Sequence, residues 1–345
     1  MQGVLELPDN LAPVQSALFG ALRDVERVFD AELESELTPV TDLCAHVERY
    51  RGKMLRPTLV LACGLATHER AGNTLDWSEL ITGGHVTLGA VCEMVHMATL
   101  VHDDVLDEAD VRRRGKTLNT LHGNEEAVIL GDYLIASAYH LCSSLPTTGP
   151  SRAIGETSQR MCAGELLQLH NRNNWSLDEE TYLEILRGKT GALIATACRL
   201  GAEASGAPAP VADAVDEYGL RLGIAFQVQD DLLDLTGDEA TVGKSVRKDL
   251  DKGKLTYPLI HHLSSASPRD RGVSLELIER ATGHRDDGAV RRLVEAIRTT
   301  DSLEASRAFA ASEVASAKQA LSPLTESAPG QLLRLMADAV IDRAF

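Results

Sequence analysis

Apolar residues recur mainly at helical intervals of three and four positions along much of the chain. One such series comprises Leu183, Leu186, Leu193, Ile194 and Leu200. A period near 3.6 residues places these side chains on one face of an α-helix. Alternating runs of Val, Ile and Thr, typical of half-buried strands, are absent, and aromatic residues make up only 4% of the chain. The pattern therefore predicts an all-α protein.

Short polar segments predict where these helices begin and end. Ser176, followed three positions later by Glu179, has the pattern of a capping box and predicts a helix start. Stretches rich in Pro, Gly and Ser predict loops at 143–151, 204–210, 264–272 and 322–330. None is long or biased enough to be a flexible linker. We therefore predict one large all-α domain over residues 1–345, a helical bundle around a central cavity.

Composition and charge narrow the choice of function. The chain has 345 residues, of which 44% are hydrophobic and 25% charged, which excludes wholesale disorder. Its 51 acidic and 34 basic residues give a formal net charge of −17. Because nucleic acids and anionic membranes are polyanions, this charge argues against general binding to either. It is compatible with a local basic pocket.

Cysteine placement and hydropathy predict a cytoplasmic protein. The six cysteines are scattered without a CxxC pair, which indicates buried thiols in a reducing compartment. The first residues lack a basic stretch, so no signal peptide is expected. Residues 81–101 are long and apolar enough to span a membrane, but they include His85, Glu93 and His96. We interpret this stretch as a buried helix that ends at a functional site.

Two aspartate-rich triads follow apolar segments far apart in the sequence. They consist of Asp103, Asp104 and Asp107, and of Asp230, Asp231 and Asp234. On a helix, carboxylates four positions apart share a face and repel each other. A divalent cation reverses that penalty, and oxygen ligands without His or Cys suit Mg²⁺. One aspartate triad alone would indicate a solvated acidic helix face. Two triads that each follow a buried helix predict a shared metal site.

Basic residues at several points suggest the ligand that such metals would share. They are Lys53, Arg56, Arg112, Arg113, Lys189, Lys244 and Lys254. Each alone is an ordinary surface charge, but a diphosphate bridged by Mg²⁺ would match both sets. Motifs of serine hydrolases, P-loop enzymes and dinucleotide-binding proteins are absent. Chemistry that needs only metals, cations and an apolar cavity is left, and ionisation of a diphosphate ester to a carbocation shielded from water is one such reaction.

These residues resemble the trans-type isoprenyl diphosphate synthases, or polyprenyl synthetases. The likeness covers about residues 50–260 and is weaker in the C-terminal helices at about 270–345. It rests on GKxxRP at 52–57, His102 before the first triad, the pair Arg112-Arg113, Gly131-Asp132, GExxQ at 164–168, Lys189-Thr190, FQxxDDxxD at 226–234, Gly243-Lys244 and DLxxGKxTxP at 249–258. The order and spacing of this set are highly specific.

The resemblance implies an all-α, usually homodimeric prenyltransferase. It would condense isopentenyl diphosphate with an allylic diphosphate (geranyl, farnesyl or geranylgeranyl) to a longer all-trans product. Asp103, Asp107 and Asp230 would bind Mg²⁺ directly, assisted by Asp104, Asp231 and Asp234, with about three ions around the allylic diphosphate. The allylic substrate would ionise, the isopentenyl double bond would attack its C1, and a proton would leave C2. No transmembrane segment is implied, and transient membrane contact fits product release.

The resemblance also assigns the diphosphate contacts. The allylic diphosphate would contact Arg112, Lys189, Thr190, Gln227, Lys244 and Lys254. Isopentenyl diphosphate would contact Gly52, Lys53, Arg56, His96 and Arg113. Two departures concern the arginines: Arg114 and Arg247 stand where relatives often have Gly. A one-residue slip would move the arginine pair to Arg113-Arg114.

Small residues before the first triad bear on product length. Ala98 and Thr99 lie just over one helical turn before Asp103, and Val95 lies further down. A tail growing along this helix would meet no Phe or Tyr plug, a pattern similar to makers of hepta- to nonaprenyl products. Small residues also suit a tight helix contact. Residues on other helices could close the tunnel at geranylgeranyl or farnesyl length.

Three alternatives remain open from the sequence. A metal phosphohydrolase would use His102 and Asp103 with other histidines such as His46 or His85, but leaves the second triad unexplained. A terpene cyclase also uses DDxxD, but commonly has an Asn/Ser/Glu motif in the second position. A non-catalytic subunit of a heteromeric synthase would tend to lose aspartates, whereas both triads are complete here.

Overall fold

The computed structural model describes residues 8–47, 52–72, 76–112, 115–236, 246, 248–284 and 286–342. In this part of the chain it contains fifteen α-helices and a single two-stranded hairpin. The predicted all-α class is therefore confirmed. The hairpin joins β1 (Val111–Arg112) and β2 (Gly115–Lys116) in antiparallel pairing. Strands of two residues have no alternating pattern, so the sequence did not predict them.

The helices follow one another through short connections. They are α1 (Ala12–Glu32), α2 (Thr38–Val47), α3 (Leu55–Thr67), α4 (Gly83–Leu106), α5 (Leu118–His122), α6 (Asn124–Ser143), α7 (Gly149–His170), α8 (Glu179–Leu186), α9 (Ala192–Ala204), α10 (Ala209–Thr236), α11 (Tyr257–Ser265), α12 (Pro268–His284), α13 (Asp287–Arg298), α14 (Ser302–Ala320) and α15 (Ala328–Ile341). Short 3₁₀ turns lie at Asp9–Leu11 and Trp77–Leu80, and a π-helical turn at Arg187–Gly191. Each of the four predicted loops contains a break between two helices, although the helices extend into the predicted ranges; α12, for example, already begins at Pro268.

The start of α8 differs from the predicted capping box. Asp178, not Ser176, is the N-cap, and its side chain accepts a hydrogen bond from Thr181 N at 2.7 Å. Asp and Ser are comparable caps, and the Asp178 carboxylate reaches the free N–H of the third helical residue. The prediction of a helix was right and its start was placed two residues early.

The chain divides into two compact units by its internal contacts. Unit 1 contains residues 1–158, 193–219 and 320–335, and unit 2 contains residues 159–192, 220–319 and 336–345. The single domain expected over residues 1–345 stays a prediction. The expected buried thiols are confirmed at five of the six cysteines, since Cys162 alone is exposed.

Unit 1 is organised around α4. This helix packs against α1, α3 and α6, and its side chains from Val91 to Val95 are buried. Among the described helices, only α4 is long and apolar enough to cross a membrane by length and composition. Because 72% of its most apolar window is buried inside the structure, α4 has the character of a core helix, as predicted for residues 81–101.

A buried histidine, His85, lies in the first turn of α4 and joins this helix to neighbouring elements. Thr82 N donates to His85 Nδ1 at 3.1 Å, so Nδ1 is unprotonated. Ser205 Oγ donates to Gly64 O at 2.7 Å, so His85 Nε2 is the donor in its 2.9 Å contact with Ser205 Oγ. These contacts require neutral imidazole. Burial lowers the pKa of His85 from 6.5 to about 4.

This histidine makes the fold sensitive to acid. Between pH 6.5 and 4 the unfolded chain binds a proton at His85 while the folded chain does not, so stability falls as the pH falls. We expect this residue alone to lower the free energy of unfolding by about 2 kcal/mol between pH 7 and pH 5. Urea titrations at both pH values check this, because the difference should shrink in His85→Gln and persist in His140→Gln, whose ring is exposed. Equal differences in both variants contradict the prediction.

Unit 2 has its own core, built mainly from α8, the second half of α10, α11, α12, α13 and α14. Aromatic rings form part of it. The ring of Tyr257 stacks on Phe309 with centroids 4.9 Å apart, and the Tyr182 ring lies 5.8 Å from that of Tyr257. This aromatic group lies beside the end of α10, where the second aspartate triad is found.

Candidate active site

The first triad lies at the C-terminal end of α4, in unit 1. Asp103 is in the last turn and Asp107 is the C-cap, whose N–H donates to Asp103 O at 2.8 Å. Both side chains are partly exposed. The predicted spacing of one turn is therefore present. The C-terminal end of a helix carries partial negative charge, and no basic residue stands in this last turn. The position favours a cation.

Asp104 points into the protein instead. Its side chain is 2% exposed, and Arg112 on β1 holds it from Nε at 2.9 and 3.0 Å and from Nη2 at 2.8 Å. Such two-pronged pairing fixes both groups. The structure thus places Arg112, predicted to contact the allylic diphosphate, directly beside the first triad.

The second triad lies at the C-terminal end of α10, in unit 2. Asp230 is partly exposed, Asp234 is exposed and Asp231 is buried. This end also lacks a basic residue in its last turn. Arg298, at the end of α13, donates to Leu235 O at 2.8 and 3.2 Å and so satisfies a carbonyl of the last turn.

Three donors surround the buried Asp231 carboxylate. Tyr182 Oη donates at 2.5 Å, while Tyr257 N and Gln227 Nε2 each donate at 3.2 Å. Burial raises the pKa of Asp231 to about 6, and the hydrogen bonds oppose that rise. Tyr182 was not predicted as a site residue, because nothing in its local sequence distinguishes it from a core tyrosine.

The predicted Lys189 and Thr190 stand on the π-helical turn between α8 and α9. Lys189 Nζ lies 2.5 Å from Glu165 Oε2, and Thr190 Oγ1 donates to Gln227 Oε1 at 3.4 Å. Gln168 Nε2 donates to the other Glu165 oxygen at 3.2 Å. The GExxQ motif therefore supplies an acidic partner for Lys189. From the sequence, this motif was identified only as part of the resemblance, without a role for Glu165.

Two glycines allow this arrangement. A side chain on Gly164 would lie 2.8 Å from Lys189 N, and one on Gly188 would lie 3.0 Å from Arg160 O. Backbone atoms cannot yield at such distances, so α7 approaches the π-helical turn only because both residues lack Cβ. This close approach brings Glu165 to Lys189.

A small cavity adjoins the second triad. Its polar lining consists of Asp231, Asp234, Asp249, Lys254 and Thr256, and it has room for about one water molecule. Burial, reinforced by the charges of Asp231 and Asp234, raises the pKa of Asp249 to about 7, while Lys254 opposes the rise. The structure thus places the predicted Lys254 beside this triad and adds Asp249, which had been noted only as part of a motif.

The residues predicted to contact isopentenyl diphosphate lie at the start of α3 and on α4. Gly52 and Lys53 are exposed just before α3, whose first turn contains Arg56. Arg56 Nε is buried and has no hydrogen-bond partner in the described structure. Burial lowers the pKa of Arg56, and the charge of Glu93 opposes this.

Glu93 and His96 share one face of α4. Glu93 is buried and His96 is partly exposed, three positions apart. A buried acid facing the GKxxRP arginine was not predicted, although its presence in an apolar stretch had been noted. Arg113 and Lys244 lie outside the described residues, so the register of the arginine pair stays as predicted from the sequence.

The predicted tunnel residues do not share one environment. Ala98 is fully buried and Val95 nearly so. Thr99 is partly exposed, and its hydroxyl donates to His96 O at 2.8 Å. Of the three, Thr99 alone lies on the partly accessible side of α4, together with His96 and Asp103.

The histidines of the phosphohydrolase alternative have separate surroundings. His46 packs edge-on against His122 at 6.1 Å, and His102 Nε2 lies 3.1 Å from Val128 O. His85 lies in the neutral network described above. In the described part of the chain, no three His, Cys, Asp or Glu side chains form a metal site by themselves. A His-rich metal centre is therefore not formed there.

Two prenyl-transferring proteins are similar to this chain over most of its length. A "Prenyl transferase" of Synechocystis is 36% identical over 298 residues, covering 86% of this chain and 88% of that protein. The octaprenyl diphosphate synthase of Escherichia coli is 31% identical over 335 residues, covering 97% and 99%.

Solved structures share the fold. A decaprenyl diphosphate synthase from Rhodobacter capsulatus superposes with a TM-score of 0.85 at 33% identity, covering 97% of this chain and 98% of that one. A polyprenyl synthase from Caulobacter crescentus, complexed with calcium and isoprenyl diphosphate, gives 0.84 at 30%, covering 96% and 98%. Residues 38–297 match the model of the polyprenyl synthetase family. The chain therefore belongs to the polyprenyl synthetase family and is a prenyltransferase.

Proposed function

We propose that the chain is a Mg²⁺-dependent trans-prenyltransferase that extends an allylic diphosphate with isopentenyl diphosphate to hepta- to nonaprenyl length. One observation carries the proposal. In each unit, two carboxylates four positions apart end a long helix whose last turn has no basic residue. Paired acids at that end of a helix repel each other and the helix carbonyls, and a bound divalent cation reverses this penalty.

The donor set fits magnesium. Mg²⁺ is usually held by one or two carboxylates together with waters and substrate phosphates, rather than by an all-protein cage. Pairs of aspartates without His or Cys match this requirement. We assign Asp103, Asp107 and Asp230 as direct ligands, with Asp104, Asp231 and Asp234 in support, and about three ions when the allylic diphosphate is bound. When bound, magnesium neutralises the departing diphosphate and thereby favours ionisation. The Caulobacter relative holds calcium with isoprenyl diphosphate.

The basic and polar side chains hold the two diphosphates. For the allylic diphosphate we assign Arg112, Lys189, Thr190, Gln227, Lys244 and Lys254. For isopentenyl diphosphate we assign Gly52, Lys53, Arg56, His96 and Arg113. The C1–O bond of the allylic substrate breaks, and the isopentenyl double bond supplies the electron pair of the new bond to C1. The proton lost from C2 passes to the departing diphosphate. Apolar surroundings keep water from the cation.

Product sizing tests this function. The purified chain is incubated with Mg²⁺, isopentenyl diphosphate and farnesyl diphosphate, and the dephosphorylated alcohols are separated by chromatography. We expect elongation that a chelator abolishes, with hepta- to nonaprenyl alcohols as the main products. Products of geranylgeranyl length would assign a shorter-chain synthase of the same family. Absence of elongation by the chain alone and with added cell extract would reject the proposal.

Product length should respond to Thr99. Because Thr99 lies on the partly accessible side of α4, we expect Thr99→Phe to shorten the main product by at least one isoprene unit, measured by the same chromatography. Ala98→Phe should shorten the products as well, because Ala98 and Val95 belong to the same proposed tunnel. Since Ala98 is fully buried, the larger ring should also destabilise the fold by about 1–3 kcal/mol. Unchanged products in a folded Thr99→Phe would show that the chain grows along another path.

We further propose that the enzyme acts as a cytoplasmic homodimer, with transient membrane contact for product release. Exposed apolar side chains at Leu121, Val128 and Ile129 support an interface on α5 and α6. Sedimentation equilibrium of the purified chain measures its mass in solution, and a monomer at micromolar concentration would reject the dimer.

A further inference from the structure

The hydroxyl of Tyr182 is one of three donors on the buried Asp231 carboxylate. The other two are a backbone N–H, from Tyr257, and the Gln227 amide. A buried carboxylate needs such donors, because its charge is otherwise costly to remove from water. The Tyr182 contact is the shortest of the three, at 2.5 Å. Both side chains are less than one-tenth exposed, so solvent cannot readily replace this donor.

The position of that hydroxyl is itself fixed by packing. Tyr182 lies on α8, whose start is capped by Asp178. Its ring contacts Tyr257, which stacks on Phe309. The Tyr257 hydroxyl donates to Glu179 at 3.1 Å and joins α11 to α8 a second time. An aromatic side chain with two torsions, held in a core on several sides, presents its hydroxyl at a defined point.

We propose that Tyr182 is a positioning residue for the second aspartate triad; this rests on the proposed function. Asp231 is bonded in the chain to Asp230 and lies three positions before Asp234. Holding its carboxylate fixes the rotation and height of the last turns of α10. The hydroxyl thereby orients Asp230 and Asp234 for the metal, while Asp231 itself serves as an anchor. Partners of this kind commonly change metal affinity by about 10–100-fold when they are removed.

Tyr182→Phe removes only the hydroxyl and tests the role directly. The probe is MgCl₂ titrated in the presence of inorganic pyrophosphate, followed by calorimetry. We expect the Mg²⁺ dissociation constant to rise about tenfold or more. The Mg²⁺ concentration for half-maximal turnover should rise in parallel, while the KM for isopentenyl diphosphate changes less than twofold. A general loss of packing would change the Mg²⁺ dependence and the KM for isopentenyl diphosphate together.

Tyr218→Phe is the matched control. Tyr218 is fully buried in unit 1, and its hydroxyl donates to Leu333 O at 2.8 Å. The variant loses a comparable hydrogen bond away from both triads, so its Mg²⁺ dissociation constant should stay within twofold of the wild-type value. Equal weakening in both variants, or an unchanged constant in Tyr182→Phe, overturns the proposal.

A second variant keeps the test decisive if Tyr182→Phe does not fold. Should Tyr182→Phe unfold, 4-aminophenylalanine at position 182 restores a donor at the same place. Recovery of both fold and Mg²⁺ affinity supports the role, and recovery of fold alone overturns it. Wild-type elongation is measured first. Its absence rejects the proposed function and this inference together, whereas wild-type elongation with an unaltered Tyr182→Phe rejects only the positioning role.

Discussion

Asp103→Ala and Asp230→Ala should each lower turnover by about a hundred- to a thousandfold, the range found when a single group that stabilises developing charge is removed. Each aspartate lies in the last turns of its helix, partly exposed, in a position that does not favour an acid in an isolated helix. Alanine cannot bind a cation, so the diphosphate would lose part of its neutralisation. Steady-state turnover at saturating substrates measures the effect.

The same substitutions should not harm the fold. Asp103 lies in the last turn of α4, where removing a negative charge gains up to about 0.3–1 kcal/mol, whereas Asp230 lies about two turns before the end of α10, where this effect is small. We therefore expect thermal midpoints and helix content, followed by circular dichroism, to be unchanged or slightly higher. A loss of activity with no loss of stability separates a functional carboxylate from a structural one.

Glu203→Ala supplies the comparison. Glu203 lies at the C-terminal end of α9 and pairs with Arg199 at 3.4 Å, so it is an acid in a similar helical position outside both triads. Its replacement should leave turnover within twofold of the wild-type rate. A near-normal rate in Asp103→Ala or in Asp230→Ala would count heavily against the metal assignment.

Helix positions were predictable because their signals are local. The apolar stretch that forms α4, its end at the first triad and the loops rich in Pro, Gly and Ser all depend on neighbouring residues. The aspartate spacing likewise sets two carboxylates one turn apart once the helix is known. These features needed no information about distant parts of the chain.

The supporting contacts were not predictable, because each joins residues far apart in sequence. Glu165 reaches Lys189 only through the close approach at Gly164 and Gly188, and nothing near Tyr182 indicates a bond to Asp231. The full burial of Ala98 was not predictable for a related reason. Helical spacing places it near Asp103, but the packing of α3 and α6 against α4 decides which face is buried.

Gly201→Ala should destabilise the protein strongly. Gly201 lies on α9, where an added Cβ would stand 2.1 Å from Val60 O and 3.0 Å from Val60 Cα. Both are backbone atoms of α3, and Val60 and Leu200 are fully buried, so the helices would have to move apart. Alanine favours a helix over glycine by about 1 kcal/mol, but overpacking of this kind outweighs that gain. We expect a net loss of about 3 kcal/mol in the free energy of unfolding.

Gly20→Ala makes the same change where there is room. Gly20 is in the middle of α1, and no atom lies within 4 Å of its added Cβ. Here the helical preference of alanine acts alone, so the free energy of unfolding should rise by up to about 1 kcal/mol. Urea denaturation followed by circular dichroism measures both variants. Equal stability of Gly201→Ala and Gly20→Ala would refute the close crossing of α3 and α9. Because α3 also contains Arg56, a folded Gly201→Ala should show a higher KM for isopentenyl diphosphate.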